Sequence, residues 1–317
     1  MAATPDTLNL PTDAAPQVKQ SRTIAQQQRI WGWIFLSPWI FGFLAFTLFP
    51  MIASLIFSFT NFRIGEPIEF VGLRNWQNLF VDPNTSQSLF VTFRFALISL
   101  PFSLGIPLLL ASLLNSKAVF GKPLLRVLFY MPYMIPAVSS IFIWQSFLNG
   151  QTGWLNRLLR IIGIADPPNW LFDPSVITFG LIMLGLWGVG NAMLTMLASM
   201  QGVPTELYEA AEVDGANGTV KWLRITLPMI SPVILYNLVL IVIGLMQYFL
   251  PAYVLSSTTR SNPETNFFNF NLYRTAFQFG EMGFASAQAW FIFIIALILT
   301  LIIFGTSNRW VYYSGEK

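Results

Sequence analysis

The sequence predicts an all-α, polytopic membrane protein with six transmembrane helices. Of its 317 residues, 55% are hydrophobic and only 10% are charged, whereas soluble domains carry about 25% charged residues. Six apolar segments also reach the roughly 20 residues that a helix needs to cross the hydrocarbon of a bilayer. These segments are 32–59, 88–115, 127–149, 175–199, 229–256 and 284–306.

The residues that the chain lacks exclude several kinds of chemistry. It has no cysteine and no histidine, so it offers no thiolate, no disulfide, no imidazole base and no histidine metal ligand. We therefore expect no catalytic residue, no metal site and no cofactor bound by this chain. The net charge of +3 is small and the lysines are scattered, which does not favour a nucleic-acid partner.

The two ends of the chain are expected on the same side of the membrane, because the number of spans is even. Residues 1–29 are polar and lack the apolar core and cleavage site of a signal peptide, which predicts a disordered tail. The positive-inside rule then predicts that this tail and the C-terminal end, 313–317, are cytoplasmic. All five lysines fall on that side: Lys19, Lys117, Lys122, Lys221 and Lys317.

The first two spans contain features that bend or anchor a membrane helix. Pro38 and Pro50 predict a kink in the first span. The following outer loop has an aromatic-rich stretch, Phe70 to Phe80, that is typical of a helix lying at the membrane interface. Arg94 lies within two turns of the outer end of the second span, where it can reach the surface or serve a pore.

Spans three to five carry the polar and aromatic side chains that could bind a solute. Buried amides without partners cost several kcal/mol, so those in the spans should face other helices or a wet cavity. Packing between helices remains the alternative for the glycines and the amides. The candidate residues for binding substrate are Tyr133, Trp187, Gly188, Asn191, Asn237, Gln247 and Tyr248. The sixth span is uniformly apolar and is expected to pack or to face lipid.

A long polar stretch, Thr205–Pro228, separates the fourth and fifth spans and must lie outside the bilayer. Thr205 with acidic residues in the next turn fits a helix start, and Gly215 fits its C-terminal cap. Thr219 can open a second helix that Pro228 stops or kinks. The stretch is thus predicted to form a cytoplasmic helix-turn-helix. The alternative is an amphipathic helix on the membrane surface.

This stretch resembles the EAA loop of permease subunits of binding-protein-dependent ABC importers. The pattern is Glu-Ala-Ala, three residues, Gly, nine residues, then Ile-x-Leu-Pro, and every position is met from Glu209 to Pro228. Its local sequence, ELYEAAEVDGA, is similar to that of the sugar-importing branch of the family. The resemblance implies contact with an ATPase for seven residues: Glu209, Ala210, Ala211, Asp214, Gly215, Leu227 and Pro228.

The resemblance also implies an architecture and a set of partners. It implies a permease of the type I importer fold over residues 30–312, with a coupling loop at 200–228. Such a subunit is not an enzyme: it moves a sugar or related neutral glycoside or polyol by alternating access, while ATP and Mg are bound by two copies of a partner ATPase. The implied partners further include a second permease and an extracellular solute-binding protein, in the inner membrane of a bacterial or archaeal cell.

The residues agree with an external source of energy. None of the 14 acidic residues lies in a predicted span, whereas ion-coupled carriers usually hold carboxylates there. The chain also lacks the glycine-rich phosphate loop with its Lys-Ser/Thr end. Cationic residues are absent from the depth of the spans, which disfavours an anionic substrate such as glycerol phosphate. A membrane enzyme or purely structural subunit, the competing class, would need a reactive constellation that the sequence does not contain.

The family resemblance supports part of the candidate binding set. The stretch around Tyr133 resembles the region of the maltose permease in which a tyrosine touches sugar. Alignment from the coupling loop places Gly188 and Asn191 at two other sugar-contact positions of that family. The candidates in the fifth span rest on polarity alone.

Overall fold

The computed structural model describes residues 24–258 and 262–313 as helices and connecting segments, with one isolated antiparallel bridge between Thr60 and Phe70. The chain divides into two compact units, Met1–Ala53 and Ser54–Lys317. The first helix begins at Ile24, so residues 24–29 of the expected tail are helical. Residues 1–23 and 314–317 lie outside the described residues.

The expected number of spans agrees with the helices in the described part of the chain. Four helical stretches are long and apolar enough to cross a membrane, and two bent pairs bring the number to six if each pair is one span. The four are Gln27–Phe57, Pro83–Asn115, Ser231–Ser256 and Met282–Ser307. The pairs are Lys122–Met134 with Ala137–Phe147, and Ile177–Trp187 with Gly190–Gln201.

The first half of the chain contains the helices up to the third span. They are α1 (Ile24–Phe43), a π turn (Leu44–Leu48), α2 (Phe49–Phe57), α3 (Arg74–Val81), α4 (Pro83–Asn115), α5 (Lys122–Tyr130), a 3-10 turn (Met131–Met134) and α6 (Ala137–Phe147). Asp82 begins α4, because its carboxylate accepts hydrogen bonds from the backbone N–H groups of Asn84 and Thr85. Helix α3 lies in the outer loop, where the aromatic-rich stretch predicted a helix.

The second half contains the remaining spans and the coupling segment. Its helices are α7 (Trp154–Ile161), α8 (Ile177–Trp187), α9 (Gly190–Gln201), α10 (Thr205–Val213), α11 (Gly218–Lys221), a π turn (Trp222–Thr226), α12 (Leu227–Met229), α13 (Ser231–Met246), α14 (Leu250–Thr258), a 3-10 turn (Pro263–Thr265), α15 (Phe268–Tyr273), a π turn (Arg274–Gln278) and α16 (Met282–Ser307).

Spans three, four and five are each interrupted. In the third, Pro136 forces Ile135 into extended backbone, and the two halves meet at a bend of 104°. In the fourth, the halves bend by 55° at residues 188–189. In the fifth, the helix breaks at residues 247–249, because Pro251 has no N–H to donate to the carbonyl four residues before it.

Two apolar clusters form the core of the larger unit, one towards each end of the spans. One contains Phe95 and Phe267, whose rings lie 5.1 Å apart. The other joins α4 to α9 and contains Leu114, Met196 and Ile230. The start of α9 lies directly against α5: a methyl group on Gly190 would come within 2.5 Å of the Phe129 carbonyl oxygen. Gly190 is thus required for close packing of these helices.

The coupling segment, Thr205–Pro228, forms the predicted helix-turn-helix. Gly215 ends α10 in the left-handed region with φ of +76°, and its N–H donates to the Glu212 carbonyl. Asn217 caps the second helix through a 2.9 Å bond from Val220 N–H, so this helix begins one residue before the predicted Thr219. The π turn just before Pro228 gives the proline ring the wider turn that it needs.

Arg94 has a carboxylate partner from the segment that precedes α15. Its guanidinium forms an ion pair with Glu264, and the neighbouring Thr92 hydroxyl accepts a 2.9 Å hydrogen bond from the Phe268 N–H. These contacts hold the segment before α15 against α4. The sequence could not indicate this pairing, since the two charged residues are far apart in the chain.

Candidate functional site

The three helix interruptions meet at one cavity of about 300 Å³. Its wall combines small, aromatic and amide side chains, and none of the residues that line it is charged. They are Ser103, Tyr133, Gly185, Gly188, Val189, Asn191, Ala192, Asn237, Leu240, Ile241, Gly244, Leu245 and Tyr248. A mostly apolar cavity with a few polar groups is the usual form of a site for a small molecule.

Five of the seven predicted binding residues line this cavity and two do not. Trp187 instead packs against Trp144, with ring centroids 6.1 Å apart. Gln247 lines a different cavity of about 420 Å³ together with Asn269 and Tyr273. The break in the fifth span separates Gln247 from its neighbour Tyr248, because consecutive residues outside a helix face different sides.

Tyr133 and Asn191 present their polar groups to the cavity. Tyr133 is 51% exposed, and Asn191 is exposed at the first turn of α9. The Tyr133 ring packs against the Tyr130 ring, with ring centroids 5.7 Å apart. Neither side chain is held by a hydrogen bond to another described residue. Both are therefore available to a solute.

Asn237 and Tyr248 are more enclosed than the other predicted residues. Asn237 is 4% exposed, and its amide donates to the Thr195 hydroxyl at 3.2 Å and to the Val233 carbonyl at 2.9 Å. The bond to Thr195 ties α13 to α9, which favours the packing interpretation of this amide. The Tyr248 ring lies between Phe95 and Phe267, and its hydroxyl is buried without a partner among the described residues.

Three glycines leave open space in the cavity wall. A methyl group on Gly185 or Gly244 would meet no atom within 4 Å, and one on Gly188 would meet only a carbonyl oxygen at 3.7 Å. The sequence favoured close helix packing as the reason for the glycines of the fourth span. Within this chain, close packing explains Gly190 but not Gly185, Gly188 or Gly244. Glycine inside a helix destabilises it by about 1 kcal/mol relative to alanine. At Gly185 and Gly244, no close helix packing within this chain offsets that loss of stability.

The lining also includes residues that were not predicted. Ser103 comes from α4, and Leu240 and Ile241 lie on α13. No sequence signal marks them, because serine and branched aliphatic residues occur throughout the spans. Only the packing of α4 against α9 and α13 brings them to the cavity.

Helix α10 carries most of the predicted coupling residues on an exposed surface. Glu209, Ala210, Asp214 and Gly215 are exposed, and Ala211 is half-buried. Leu227 and Pro228 lie in the second arm of the segment, at the start of α12, and are half-buried. The small side chains of α10 thus leave its backbone accessible to a partner.

The two arms of the coupling segment are joined by side chains. The Tyr208 hydroxyl lies 2.8 Å from the Thr226 hydroxyl, and Lys221 forms a 2.6 Å ion pair with Glu212. The hydrogen bond and positive charge of Lys221 lower the pKa of the Glu212 carboxyl. The Glu212 carboxylate therefore keeps its charge through the usual titration range of glutamate, and the ion pair weakens as the pH falls below that range.

The second arm is also fixed to the spans. The indole N–H of Trp222 donates to the Ser112 hydroxyl on α4 at 2.9 Å, and Ser112 in turn donates to the Leu108 carbonyl at 2.8 Å. Tyr208 and Ile225 pack on the cluster that joins α4 to α9. The sequence gives no signal for these anchors, because their partners lie more than a hundred residues away or in another span.

Comparison with known proteins adds to this geometry. Residues 103–313 match the family described as the binding-protein-dependent transport system inner membrane component. The chain belongs to this family. The matched region includes the cavity, the coupling segment and α16. As a permease of this family, the chain is a multi-pass membrane component of an ABC transporter and not the subunit that performs catalysis.

Several curated permeases are similar over nearly their whole length. The probable ABC transporter permease protein YesP of Bacillus subtilis is 37% identical over 96% of this chain and 99% of its own. The arabinooligosaccharides transport system permease protein AraP of the same organism is 32% identical, over 96% of each chain. The trehalose/maltose transport system permease protein MalF of Thermococcus litoralis is 30% identical, over 86% of this chain and 91% of its own.

A solved structure has the same fold. A chain of a bacterial alginate ABC transporter, crystallised with a periplasmic protein bound to an alginate pentasaccharide, superposes with a TM-score of 0.79. It is 26% identical, and the match covers 91% of this permease and 98% of that chain. The permease therefore has the type I importer fold that the resemblance implied.

Proposed function

We propose that this permease carries a neutral carbohydrate across the cell membrane through the cavity at the three helix interruptions. The observation that supports this most directly is the cavity wall, in which Tyr133, Asn191 and open glycines meet without a charged side chain. Aromatic faces stack on the C–H surface of sugars, and amides can both donate to and accept from hydroxyl groups. The arabinooligosaccharide and trehalose/maltose permeases among the relatives fit this proposal.

The lining favours a neutral solute over an acidic one. The similar alginate transporter imports an acidic polysaccharide. A carboxylate taken into the cavity of this permease would find no cationic partner in the wall, and burial of an unpaired charge is costly. A sugar, a glycoside or a polyol therefore fits better than a uronate or a phosphate ester.

Coupling to ATP hydrolysis is proposed to pass through α10. Its exposed surface around Glu209 and Ala210 would dock on a partner ATPase, which binds ATP and Mg. Motion of α10 would reach the spans because the Tyr208–Thr226 contact joins the two arms of the segment and Trp222 of the second arm donates to Ser112 on α4. Alternating access follows if α4 and α9 move with the segment, since both contribute to the cavity wall.

The complete importer is proposed to contain four further polypeptides. They are a second, non-identical permease, two copies of the ATPase and an extracellular solute-binding protein, in a bacterial or archaeal cell membrane. Docking of the ATPase on α10 requires that side to be cytoplasmic, which also places both termini there. A reporter fused at Lys317 should accordingly read as cytoplasmic; an external signal would refute the orientation.

Transport by the reconstituted importer tests the proposed cavity. Purified complexes in proteoliposomes are supplied with binding protein, internal ATP and radiolabelled neutral oligosaccharides. We expect Tyr133→Ala and Asn191→Ala to reduce uptake about tenfold each, the equivalent of about 1.4 kcal/mol of lost sugar binding. Complex yield and basal ATP hydrolysis should stay at the wild-type level.

Tyr236→Ala is the matched control. Tyr236 is 57% exposed on α13 but does not line the cavity, so its removal should leave uptake unchanged. Wild-type uptake by both cavity variants would show that the solute passes elsewhere. Loss of assembly in both would show that these side chains serve packing.

A further inference from the structure

Helix α7 lies between the third and fourth spans, at the end opposite the coupling segment, and it exposes an apolar surface. Trp154, Leu158, Ile161 and Ile162 are 64%, 55%, 79% and 74% exposed. Trp154, Leu158 and Ile161 follow one another at intervals of four and three residues, which places them on one face of the helix, and Ile162 directly follows its last residue. We call these four residues the α7 face. A contiguous exposed apolar patch of this kind marks a surface that another apolar phase covers.

The fold of α7 does not need this face, because the other side of the helix already holds it in place. Asn156 is fully buried, donates to the Gly150 and Pro168 carbonyls at 2.9 Å each, and accepts a 2.7 Å bond from the Trp170 indole. The Arg160 guanidinium donates to the Gly150 and Gln151 carbonyls at 3.0 Å each. The α7 face is thereby held outward in a fixed orientation.

The α7 face is continuous with the surface of a span. Trp154 lines a groove of about 480 Å³ with Ile143 and Phe147 of α6, and Ile143 is 48% exposed. Helix α6 is half of the third span, so its exposed residues already lie at membrane depth. The groove connects this surface to α7 without an intervening charged side chain.

One charged group is positioned at the edge of the face. The Arg157 guanidinium lies 5.3 Å from the centre of the Trp154 ring. Among the described residues it has no carboxylate partner. A tryptophan with an arginine beside it is suited to the boundary between acyl chains and head groups, where the ring is partly buried and the charge meets phosphate.

We propose that the α7 face docks on the lipid surface of the leaflet opposite the coupling segment. An acyl chain occupies the groove beneath Trp154, and Arg157 contacts a lipid phosphate. The helix then lies in the plane of the interface as an anchor for the loop between the third and fourth spans. This use of α7 is independent of the solute that the permease carries.

Single-cysteine spin labels test the proposal without background from this chain, since it contains no cysteine, and the partner subunits are used in cysteine-free form. Leu158→Cys and Ile161→Cys are labelled in the assembled importer, in vesicles of phosphatidylethanolamine and phosphatidylglycerol. We expect both labels to collide with oxygen, which concentrates in lipid, several-fold more than with a water-soluble nickel chelate. Asp166→Cys, an exposed polar position in the same loop, is the control and should show the opposite preference.

Two outcomes would overturn the proposal. Preference for the nickel chelate at positions 158 and 161 would show that the face lies in water. Immobile labels shielded from both reagents would show that a protein, either the second permease or the binding protein, covers the face. The Arg157 contact is tested by Arg157→Gln: it should reduce the amount of phosphatidylglycerol that copurifies, and an unchanged amount would refute that contact.

Discussion

Gly185, Gly188 and Gly244 show how single residues shape the cavity. They keep space open where an added β-carbon would make no close contact within the chain. Gly190, only two positions from Gly188, has the opposite role, since a methyl group there would collide with the Phe129 carbonyl. Identical residues in one span therefore serve different purposes, and their spacing in the sequence does not distinguish them.

A larger side chain in the cavity should reduce transport without reducing the stability of the permease. Gly244→Leu is expected to leave complex yield and thermal stability unchanged or higher, because glycine inside a helix costs about 1 kcal/mol. Uptake at low sugar concentration should fall about tenfold or more, the equivalent of about 1.4 kcal/mol of lost binding. Uptake and thermal unfolding of the purified complex are the measurements.

Gly105→Leu is the control for this prediction. Gly105 also lies inside a helix with no atom within 4 Å of an added methyl group, but it does not line the cavity. It should retain wild-type uptake. Equal loss of uptake in both variants would mean that helix flexibility, and not cavity volume, limits transport.

Among the seven candidate binding residues, Tyr133, Gly188, Asn191, Asn237 and Tyr248 line the cavity, whereas Trp187 and Gln247 do not. Residue type identifies which side chains could bind a sugar. It does not show which way a side chain points once a helix is interrupted. Trp187 lies at the end of α8 and turns to Trp144, a partner from another span.

At the scale of elements, helix ends were predicted well because their causes are local. Gly215 and Pro228 act through their own backbone geometry, and the helix-turn-helix has the expected form. The bend of 104° in the third span could not be predicted as an angle, although its prolines were recognised. The angle depends on the helices that pack against the two halves.

The cap of α10 allows a test of the coupling role. Gly215→Ala places a β-carbon in the left-handed region at a cost of about 1–2 kcal/mol, but it meets no atom of this chain within 4 Å. If α10 docks on an ATPase, we expect fewer ATPase subunits to copurify and uptake to fall. Gly121→Ala is the control, because Gly121 has φ of +70° and the same open surroundings at the start of α5.

Gly215→Ala and Gly121→Ala should therefore have a similar backbone strain energy, but only Gly215→Ala should reduce the amount of ATPase that copurifies. Equal loss of the ATPase from both would attribute the effect to general destabilisation. Normal copurification and uptake with Gly215→Ala would argue against docking at this cap.

At the scale of the whole molecule, α4 connects three functional regions of the larger unit. It pairs with Glu264 through Arg94, contributes Ser103 to the cavity and holds Trp222 through Ser112. The number of spans followed from local hydropathy, but this connection did not. It joins residues that are separated by about a hundred positions or more, and hydrophobic periodicity carries no information about such pairs.

Loss of the connection at Ser112 should uncouple hydrolysis from transport. Trp222→Phe removes one hydrogen bond, worth about 0.5–1.5 kcal/mol, and leaves the Ser112 hydroxyl bonded to Leu108. We expect normal binding of the ATPase but a lower ratio of sugar imported to ATP hydrolysed.

Trp290→Phe provides the matched control for uncoupling. It removes a similar 3.1 Å bond, from an indole to the Ser54 hydroxyl, at a site away from the coupling segment. For Trp290→Phe, the ratio of sugar imported to ATP hydrolysed should equal that of the wild type. An unchanged ratio in Trp222→Phe would show that the signal reaches the cavity by another route.

The open glycines of the cavity wall also bear on how permeases of this kind diversify. A glycine codon becomes an alanine, valine or serine codon by one nucleotide change, and at Gly185 or Gly244 the β-carbon of the new side chain meets no atom within 4 Å. If the cavity carries the solute, one such mutation changes its size without altering the helices around it. Descendants of a duplicated gene could then acquire different sugars while keeping the same coupling segment and the same ATPase.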